Sequence, residues 1–490
     1  MEKNLYIDAS HPNETRVVLK SNDNIEDYEY EGLKNNLIKN NIYLGRVSRI
    51  EPSLQAAFID FGRDRHGFLS FNDIQSDYYQ IPKADLDKIK EEGHYRVFNN
   101  IERKAGQYPK ATRHHNGNTE EIDVWCSNDY LGMSQNKHVI SAMQSAAEKL
   151  GAGSGGTRNI SGTTNFHIQL EKEIAALHQK ERALAFNSGY SANESALKSI
   201  ISAFDNCLVL SHELNQASLI EGNRGSKNEN AIFRHNDVKH LKDILQGVEF
   251  SRPKIIVLES VYSMEADFAP LEDVIEVAQD NGALIYLDEV HAVGLYGPNA
   301  AGVAEQKGVA EHIDIINGTL AKAFGLAGGY IASSNTIIDF VRSFSKGFIF
   351  TTSMCPAVAA GSLESIQQVK QNAEVRDSFF ENVNFVKSQL RSAGIPFLDS
   401  GSHIIPVLIG DSKLCKQISD YLLDEHQVYV QPINYPSVPK GTERIRITPT
   451  PCHSEEATEK FVEALKDAWL KFIPLLSKFE NDFAGKVKSI

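Results

Sequence analysis

Two rhythms of apolar and polar positions run along the chain. Through residues 1–85 short apolar runs alternate with single breaks: LYIDAS, TRVVLK, NIYLGRVSRI, AAFIDFG and HGFLSF. Runs this short, bounded by Gly, Asp and Asn, predict β-strands, so this segment reads as all-β. From residue 86 the period changes. Val139, Ile140, Met143, Ala147 and Leu150 keep helical spacing, and Gly151 is a suitable stop. Continuously apolar runs follow at ALAF (183–186), CLVLS (207–211), KIIVLES (254–260) and LIYLDEV (284–290), with helical stretches between them. Strands apolar on both faces and separated by helices predict a mainly parallel sheet covered on both sides. From Pro356 long helices, then a few strands, then a charged helix predict a smaller α+β domain. The expected organisation is a partial all-β segment at 1–85, an arm at 86–138, a large α/β domain at 139–355 and a small domain at 356–490.

Composition narrows the classes. The 490 residues are 41% hydrophobic and 23% charged, ordinary for a globular protein. A formal net charge of −14 argues against a chain built mainly to coat nucleic acid or anionic membrane, while leaving room for a local anion pocket. No apolar run approaches the ~20 residues of a membrane span. The start, MEKNLYIDASHPNETR, lacks an apolar core and carries acids, so no leader is expected and the cytoplasm is the expected compartment. Cys126, Cys207, Cys355, Cys415 and Cys452 form no CxxC pair and sit near no clustered His, so free thiols and no metal site are expected. Cys355-Pro356 is a dipeptide that can ligate haem, but a lone instance is more often accidental.

Four segments could carry chemistry. Gly151, Gly153 and Gly156 make a G-x-G-x-x-G, but it follows a helix rather than a strand, which rejects a dinucleotide fingerprint. Asn187-Ser188-Gly189-Tyr190 joins a strand to a helix, a turn that presents free N–H groups to an anion. Asp288, Glu289 and His291 stand at the end of LIYLDEV, where open parallel sheets bind ligands. Alternation turns Glu289 away from Asp288, so the two are not read as a carboxylate pair. Lys322 lies in the small, apolar stretch NGTLAKAFG, where desolvation would lower its pKa and make it a nucleophile or base. An anion cradle, a strand-end Asp and a desolvated Lys together suit pyridoxal 5'-phosphate.

From about residue 86 to 485 the chain resembles the α-oxoamine synthase family, and within it the 5-aminolevulinate synthases. The matching stretches are GHYRVF (93–98), VWCSNDYLGM (124–133), GAGSGGTRNISGT (151–163), ESVYSM (259–264), YLDEVHAVGLYGP (286–298), NGTLAKAFG (317–325), GFIFTTS (347–353) and YVQPINYPSVPKGTERIRITPTP (429–451). The resemblance implies a type I aminotransferase-like fold and a homodimer with shared active sites. It implies an acyltransferase that joins glycine to succinyl-CoA, an early step of haem and other tetrapyrrole synthesis. It further implies that Lys322 links the cofactor and moves protons, that Asp288 pairs with the ring nitrogen, and that His291 and Ser263 bond the ring oxygen. Gly189, Tyr190 and Thr319 would hold the phosphate, with Thr351 and Thr352 reaching it from the second subunit. Asn128 and Arg446 would hold the glycine carboxylate, and Arg96, Thr157, Asn159, Ile160 and Ser437 the succinyl end. Two positions depart from the pattern. Gln216 stands where the family carries a His that stacks on the cofactor ring, and Ser437 where it carries Thr. The rival readings are a sister synthase using another acyl-CoA and an RNA-binding protein with an impaired synthase.

Residues 1–85 resemble the OB-type RNA-binding module at the start of ribonuclease E/G, through NIYLGRVSRIEPSLQAAFIDFGRDRHGFLSFNDI (41–74) and DYYQIP (77–82). Phe58 and Phe68 match aromatics that stack on bases there. The likeness ends near Asp85, and the segment holds 10 Lys/Arg against 14 Asp/Glu. An incomplete, acidic barrel is a poor RNA platform, so RNA binding is not the favoured role.

Overall fold

The computed structural model of the chain describes residues 3–11, 14–21, 24–32, 45–51, 56–62, 66–70 and 83–473. They fall into two compact units, Met1–Asp87 and Lys88–Ile490. In the first, the described residues before Lys83 form two three-stranded antiparallel sheets. One is Lys3–His11, Glu14–Ser21 and Asn24–Gly32; the other is Arg46–Glu51, Ala56–Asp60 and Gly67–Ser70. Phe58 stands opposite Phe68 in the second sheet, and the Arg49 guanidinium lies 4.6 Å from the Phe58 ring. The DYYQIP stretch lies outside the described residues.

The second unit is built on a seven-stranded sheet. Its strands in chain order are β1 (Arg182–Phe186), β2 (Leu208–His212), β3 (Glu229–Phe233), β4 (Lys254–Glu259), β5 (Leu284–Asp288), β6 (Ile315–Thr319) and β7 (Gly329–Ser333). The spatial order is β1-β7-β6-β5-β4-β2-β3. Every pairing is parallel except the two made by β7. The continuous apolar runs have a direct cause. Ile256, Leu258, Ile285, Leu287 and Ile316 enter one core, while the alternate Ile255, Val257, Tyr286, Ile315 and Ile331 enter another on the opposite face. A strand buried on both faces has no polar positions to alternate.

Helix ends follow local chemistry. The Asn136 side chain accepts from the His138 and Val139 N–H groups, and the helix Lys137–Leu150 ends at Gly151 with φ 83°. Pro356 opens the helix Pro356–Gln371, where a missing N–H costs nothing. The Cys355 thiol just before it donates to the Ala152 carbonyl at 3.1 Å.

The segment read as an arm is itself a sheet. Asn100–Arg103, Lys110–His115 and Asn118–Val124 form a meander, and Val428–Tyr429 adds in parallel beside Asn118–Val124. The segment before the large domain is thus tied by hydrogen bonds to the C-terminal part of the chain. That part adds an antiparallel sheet of Ile405–Leu408, Arg444–Ile447 and Pro432–Ile433. Trp125 stacks on Phe461 of the helix Glu455–Phe472 at 4.2 Å between centroids, a second tie between the same regions. Among the described residues no helix is long and apolar enough to cross a membrane, and no group of His, Cys, Asp or Glu is placed to hold a metal ion.

Candidate active site

The parallel strands β2, β4, β5 and β6 end on one edge of the sheet, and the chemistry-bearing residues gather there. Asp288 is the last residue of β5 and is 2% exposed. Its Oδ1 accepts from the Val290 N–H at 2.8 Å and its Oδ2 from Asn193 Nδ2 at 2.6 Å. Burial pushes its carboxyl up, against these two donors and the nearby Lys322 amine. Glu289 turns to the other side. Its carboxylate accepts from Ser260 Oγ and from the Val303 and Ala304 N–H groups. It therefore organises the turn beyond the strand and does not pair with Asp288.

A different carboxylate does lie beside Asp288. Glu259 ends β4, stands level with Asp288 in the register and is buried. Its Oε1 accepts from the Gln216 N–H at 2.7 Å. Burial and the Asp288 charge push its carboxyl well above the usual range. Of the two, Asp288 has more donors and Glu259 more reason to hold a proton. The pair is invisible in the sequence because its members lie 29 positions apart on neighbouring strands.

Lys322 sits in the loop joining β6 to β7. The loop is pinned at both ends: Thr319 Oγ1 donates to the Gly328 carbonyl and accepts from the Ala321 N–H, and the Gly325 N–H donates to the Lys322 carbonyl at 2.8 Å. Gly325 has φ +72°, and a Cβ there would lie 2.3 Å from the Ser134 nitrogen, so only glycine closes this turn. Burial brings the Lys322 amine down to about 8, with Asp288 pulling it up and Arg446 pushing it down. His291 is buried nearby, its Nδ1 2.8 Å from Tyr130 Oη. Burial, Lys322 and Arg446 hold its imidazole neutral, well below the usual histidine pKa.

The helix Gly189–Ser202 starts beside the end of β6. Ser188 caps it by accepting from the Ser191 N–H, and a Cβ on Gly189 would lie 3.5 Å from the Thr319 side chain. At Gly329 a Cβ would lie 2.4 Å from the Gly189 backbone nitrogen. Gly329 thus lets the helix N-terminus at Gly189 meet the strand closely, leaving backbone N–H groups open to an anion. Tyr190 is half exposed at the rim of this cradle. Thr352 lies alongside it, its carbonyl accepting from Asn187 Nδ2 at 2.7 Å, while the Thr351 hydroxyl donates to the Gly347 carbonyl. Ser263 is half-buried in the turn that follows β4.

Arg446 and Asn128, 318 positions apart, meet directly: Arg446 Nη2 donates to Asn128 Oδ1 at 2.6 Å. Arg96 and Ser437 also meet, at 3.4 Å, in a cleft of about 430 Å³ lined by the segment Gly93–Asn99 and by Gln431–Tyr435. Thr157, Asn159 and Ile160 form a separate turn, with Thr157 Oγ1 accepting from the Ile160 N–H and Ile160 largely exposed. Among the described residues no hydrogen bond joins that turn to Arg96 or Ser437. Sequence reading missed Glu259, Asn193, Tyr130 and Gly329. Of these only Tyr130 and Glu259 lie in stretches that had already attracted attention.

The donor set fits pyridoxal phosphate: a depressed lysine amine for its aldehyde, a buried carboxylate for its ring nitrogen, a neutral imidazole for its ring oxygen and a glycine cradle for its phosphate. Comparison with known proteins agrees. The family described as Aminotransferase class I and II matches residues 121–465. The 5-aminolevulinate synthase of Rhizobium meliloti is 50% identical over 393 residues, covering 80% of this chain and 97% of that protein. The mitochondrial 5-aminolevulinate synthase of Schizosaccharomyces pombe is 46% identical over 81% of this chain and 71% of its own length. Among solved structures, serine palmitoyltransferase of Sphingomonas wittichii superposes with a TM-score of 0.73 at 28% identity, over 80% of this chain and 96% of that one. A further serine palmitoyltransferase structure, solved with pyridoxal phosphate, gives the same TM-score. With a site fitted to that cofactor and with relatives aligned over nearly their whole length, the chain belongs to the 5-aminolevulinate synthases, pyridoxal-phosphate-dependent acyltransferases built on the type I aminotransferase fold.

Proposed function

We propose that the chain condenses glycine with succinyl-CoA, releasing 5-aminolevulinate, CoA and CO₂, as a cytoplasmic homodimer. The observation that carries this reading is the convergence of Lys322, Asp288, His291 and the Arg446–Asn128 pair on one edge of the sheet. Pyridoxal phosphate, when bound, supplies an electron sink for the electron pair left on the glycine α-carbon. The protein's residues do the rest. Arg446 and Asn128 capture the glycine carboxylate, a task suited to a planar guanidinium. Lys322, with its amine near 8, takes the α-proton and returns it. Asp288 stays ionised opposite the ring nitrogen, and His291 offers a neutral donor to the ring oxygen. Gly189, Tyr190 and Thr319 hold the phosphate. Arg96 and Ser437 hold the succinyl carboxylate, which selects this acyl group over uncharged ones. Mixing protein, cofactor and glycine with succinyl-CoA, acetyl-CoA or butyryl-CoA tests the reading directly. Aminolevulinate from the first and little product from the others is the expected result; equal use of all three would remove the succinyl assignment.

Thr157, Asn159 and Ile160 bind the same succinyl end and come from the second subunit, a reading supported by the lack of any hydrogen bond, among the described residues, from them to Arg96 or Ser437 of their own chain. Thr351 and Thr352 are assigned to the partner's phosphate on the family pattern, although within one chain the Thr352 carbonyl bonds Asn187 beside the chain's own cradle. Light scattering should give twice the chain mass of 54.4 kDa. A fully active monomer would end the shared-site reading.

Every residue assigned here lies at or beyond Arg96. Removing residues 1–82, which leaves the helix Lys83–Glu91 intact, should keep kcat/KM close to that of the full chain. Activity lost from a folded truncated protein would make the N-terminal segment part of the enzyme.

Gln216 bears on cofactor affinity. Its side chain folds back, with Oε1 accepting from Ser218 Oγ at 2.9 Å, and offers no aromatic face. Gln216→His should tighten pyridoxal phosphate binding about 2- to 10-fold, the ~0.5–1.5 kcal/mol of a stacked pair. Cofactor titration of both forms checks this.

A further inference from the structure

Beneath the cofactor-facing residues runs a chain of buried polar groups that the proposed chemistry leaves unused. Asn193 lies in the first turns of the helix Gly189–Ser202 and is 1% exposed. Its Nδ2 donates both to Asp288 Oδ2 at 2.6 Å and to Ser218 Oγ at 3.1 Å. Its Oδ1 accepts from Tyr286 Oη at 2.9 Å. Ser218 spends its single hydroxyl proton on Gln216 Oε1, at 2.9 Å. Ser218 and Tyr286 are themselves fully buried.

The proton count leaves one arrangement. Tyr286 has one proton and gives it to the Asn193 carbonyl, which fixes the orientation of that amide. Both amide protons must then point to acceptors, and they find Ser218 Oγ and Asp288 Oδ2. Ser218 can accept only because its own proton goes to Gln216. Each of these bonds runs in one direction and no donor among them is left over, the condition under which a buried network rigidifies its members. We propose that Asn193 is a positioning residue for the reaction: held by Tyr286, Ser218 and Gln216, it presents a donor that cannot turn away to Asp288 Oδ2, and so fixes the carboxylate in its ionised form opposite the cofactor nitrogen.

Two features separate this from ordinary core packing. Asp288 Oδ1 is already held by the Val290 N–H, so Asn193 supplies the side-chain bond to the other oxygen. Asp288 also stands beside a second buried carboxylate, Glu259, which competes for the same negative charge. A donor committed to Asp288 decides which of the two stays ionised. The end of the chain, Gln216, is one of the two positions where this protein departs from the family pattern. The same residue gives its backbone N–H to Glu259 and its side-chain carbonyl to the chain serving Asp288.

The inference rests on Asp288 being the partner of the ring nitrogen, and the test separates the two. Pyridoxal phosphate labelled with ¹⁵N at the ring is bound to wild type, Asp288→Asn, Asn193→Ser and Ser218→Ala, and the nitrogen shift is followed with pH. Tm of each cofactor-free protein is measured alongside. In wild type the nitrogen should stay protonated across the stable range. In Asn193→Ser it should lose its proton at a pH at least one unit lower, with kcat down at least tenfold and cofactor-free Tm within a few degrees of wild type. Ser218→Ala should move the titration the same way by less, and stands in should Asn193→Ser fail to fold. A titration in both variants identical to wild type, with Asp288→Asn shifted, would overturn the role of Asn193 while leaving Asp288 in place. An unshifted Asp288→Asn would overturn the parent assignment as well.

Discussion

Lys322→Ala should abolish turnover, by about four orders of magnitude or more, because it removes at once the cofactor-linking amine and the proton-transfer group. The protein itself should survive. The Lys322 side chain makes no structural bond that the loop needs, since Thr319, Gly325 and Gly328 hold the turn through other atoms. Removing a desolvated cation from beside Arg446 also relieves a repulsion. Far-UV circular dichroism should therefore match wild type, and pyridoxal phosphate should still bind, though non-covalently. The depressed amine gives a second measurement. An amine near 8 is neutral above that pH, so borohydride trapping of bound cofactor onto Lys322 should rise through pH 8, where an ordinary lysine at 10.5 would still be protonated. Peptide mapping should find the label on Lys322. A label on another lysine, or a variant with measurable turnover, would move the chemistry elsewhere.

Asp288→Asn should lower kcat/KM by about three orders of magnitude, ~4 kcal/mol at 1.36 kcal/mol per tenfold. A neutral amide cannot hold the ring nitrogen protonated, and an unprotonated ring is a weaker electron sink. The exchange conserves shape, so the loss should fall on the chemical step rather than on folding. The Val290 N–H keeps an oxygen to bond if the new amide turns its carbonyl that way, but its NH₂ then faces the Asn193 Nδ2 donor. Glu259 should respond too: without the Asp288 charge beside it, its carboxyl comes down toward the ordinary range. Steady-state kinetics of the variant, with cofactor content measured on the same sample, check the first claim. Retention of more than about a tenth of the wild-type rate, less than ~1.4 kcal/mol of barrier, would refute the role.

Much of this protein was legible before any fold was known, because the legible parts depend on neighbours along the chain. A strand buried on both faces must be apolar at every position, so KIIVLES and LIYLDEV announce a parallel sheet. A helix from Val139 to Leu150 announces itself by spacing and by the glycine that ends it. Asp288 at a strand end and Lys322 between small residues carry their chemistry in local context. Alternation correctly turned Glu289 away from Asp288. What the local pattern could not supply were partners brought together by pairing of distant strands. Glu259 reaches Asp288 only because β4 and β5 lie in one register, and Asn193 reaches it only because its helix packs on the neighbouring strands β6 and β7. Arg446 meets Asn128 across 318 positions, and Val428–Tyr429 completes a sheet begun at Asn100. Such contacts are set by which strands the folded sheet places side by side, and no period or motif along the chain encodes a distance between strands. The sequence by itself thus determined which residues carry charge and reactivity, and the tertiary structure decided which of them are buried together, because burial next to a second charge is what shifts a carboxylate or an amine.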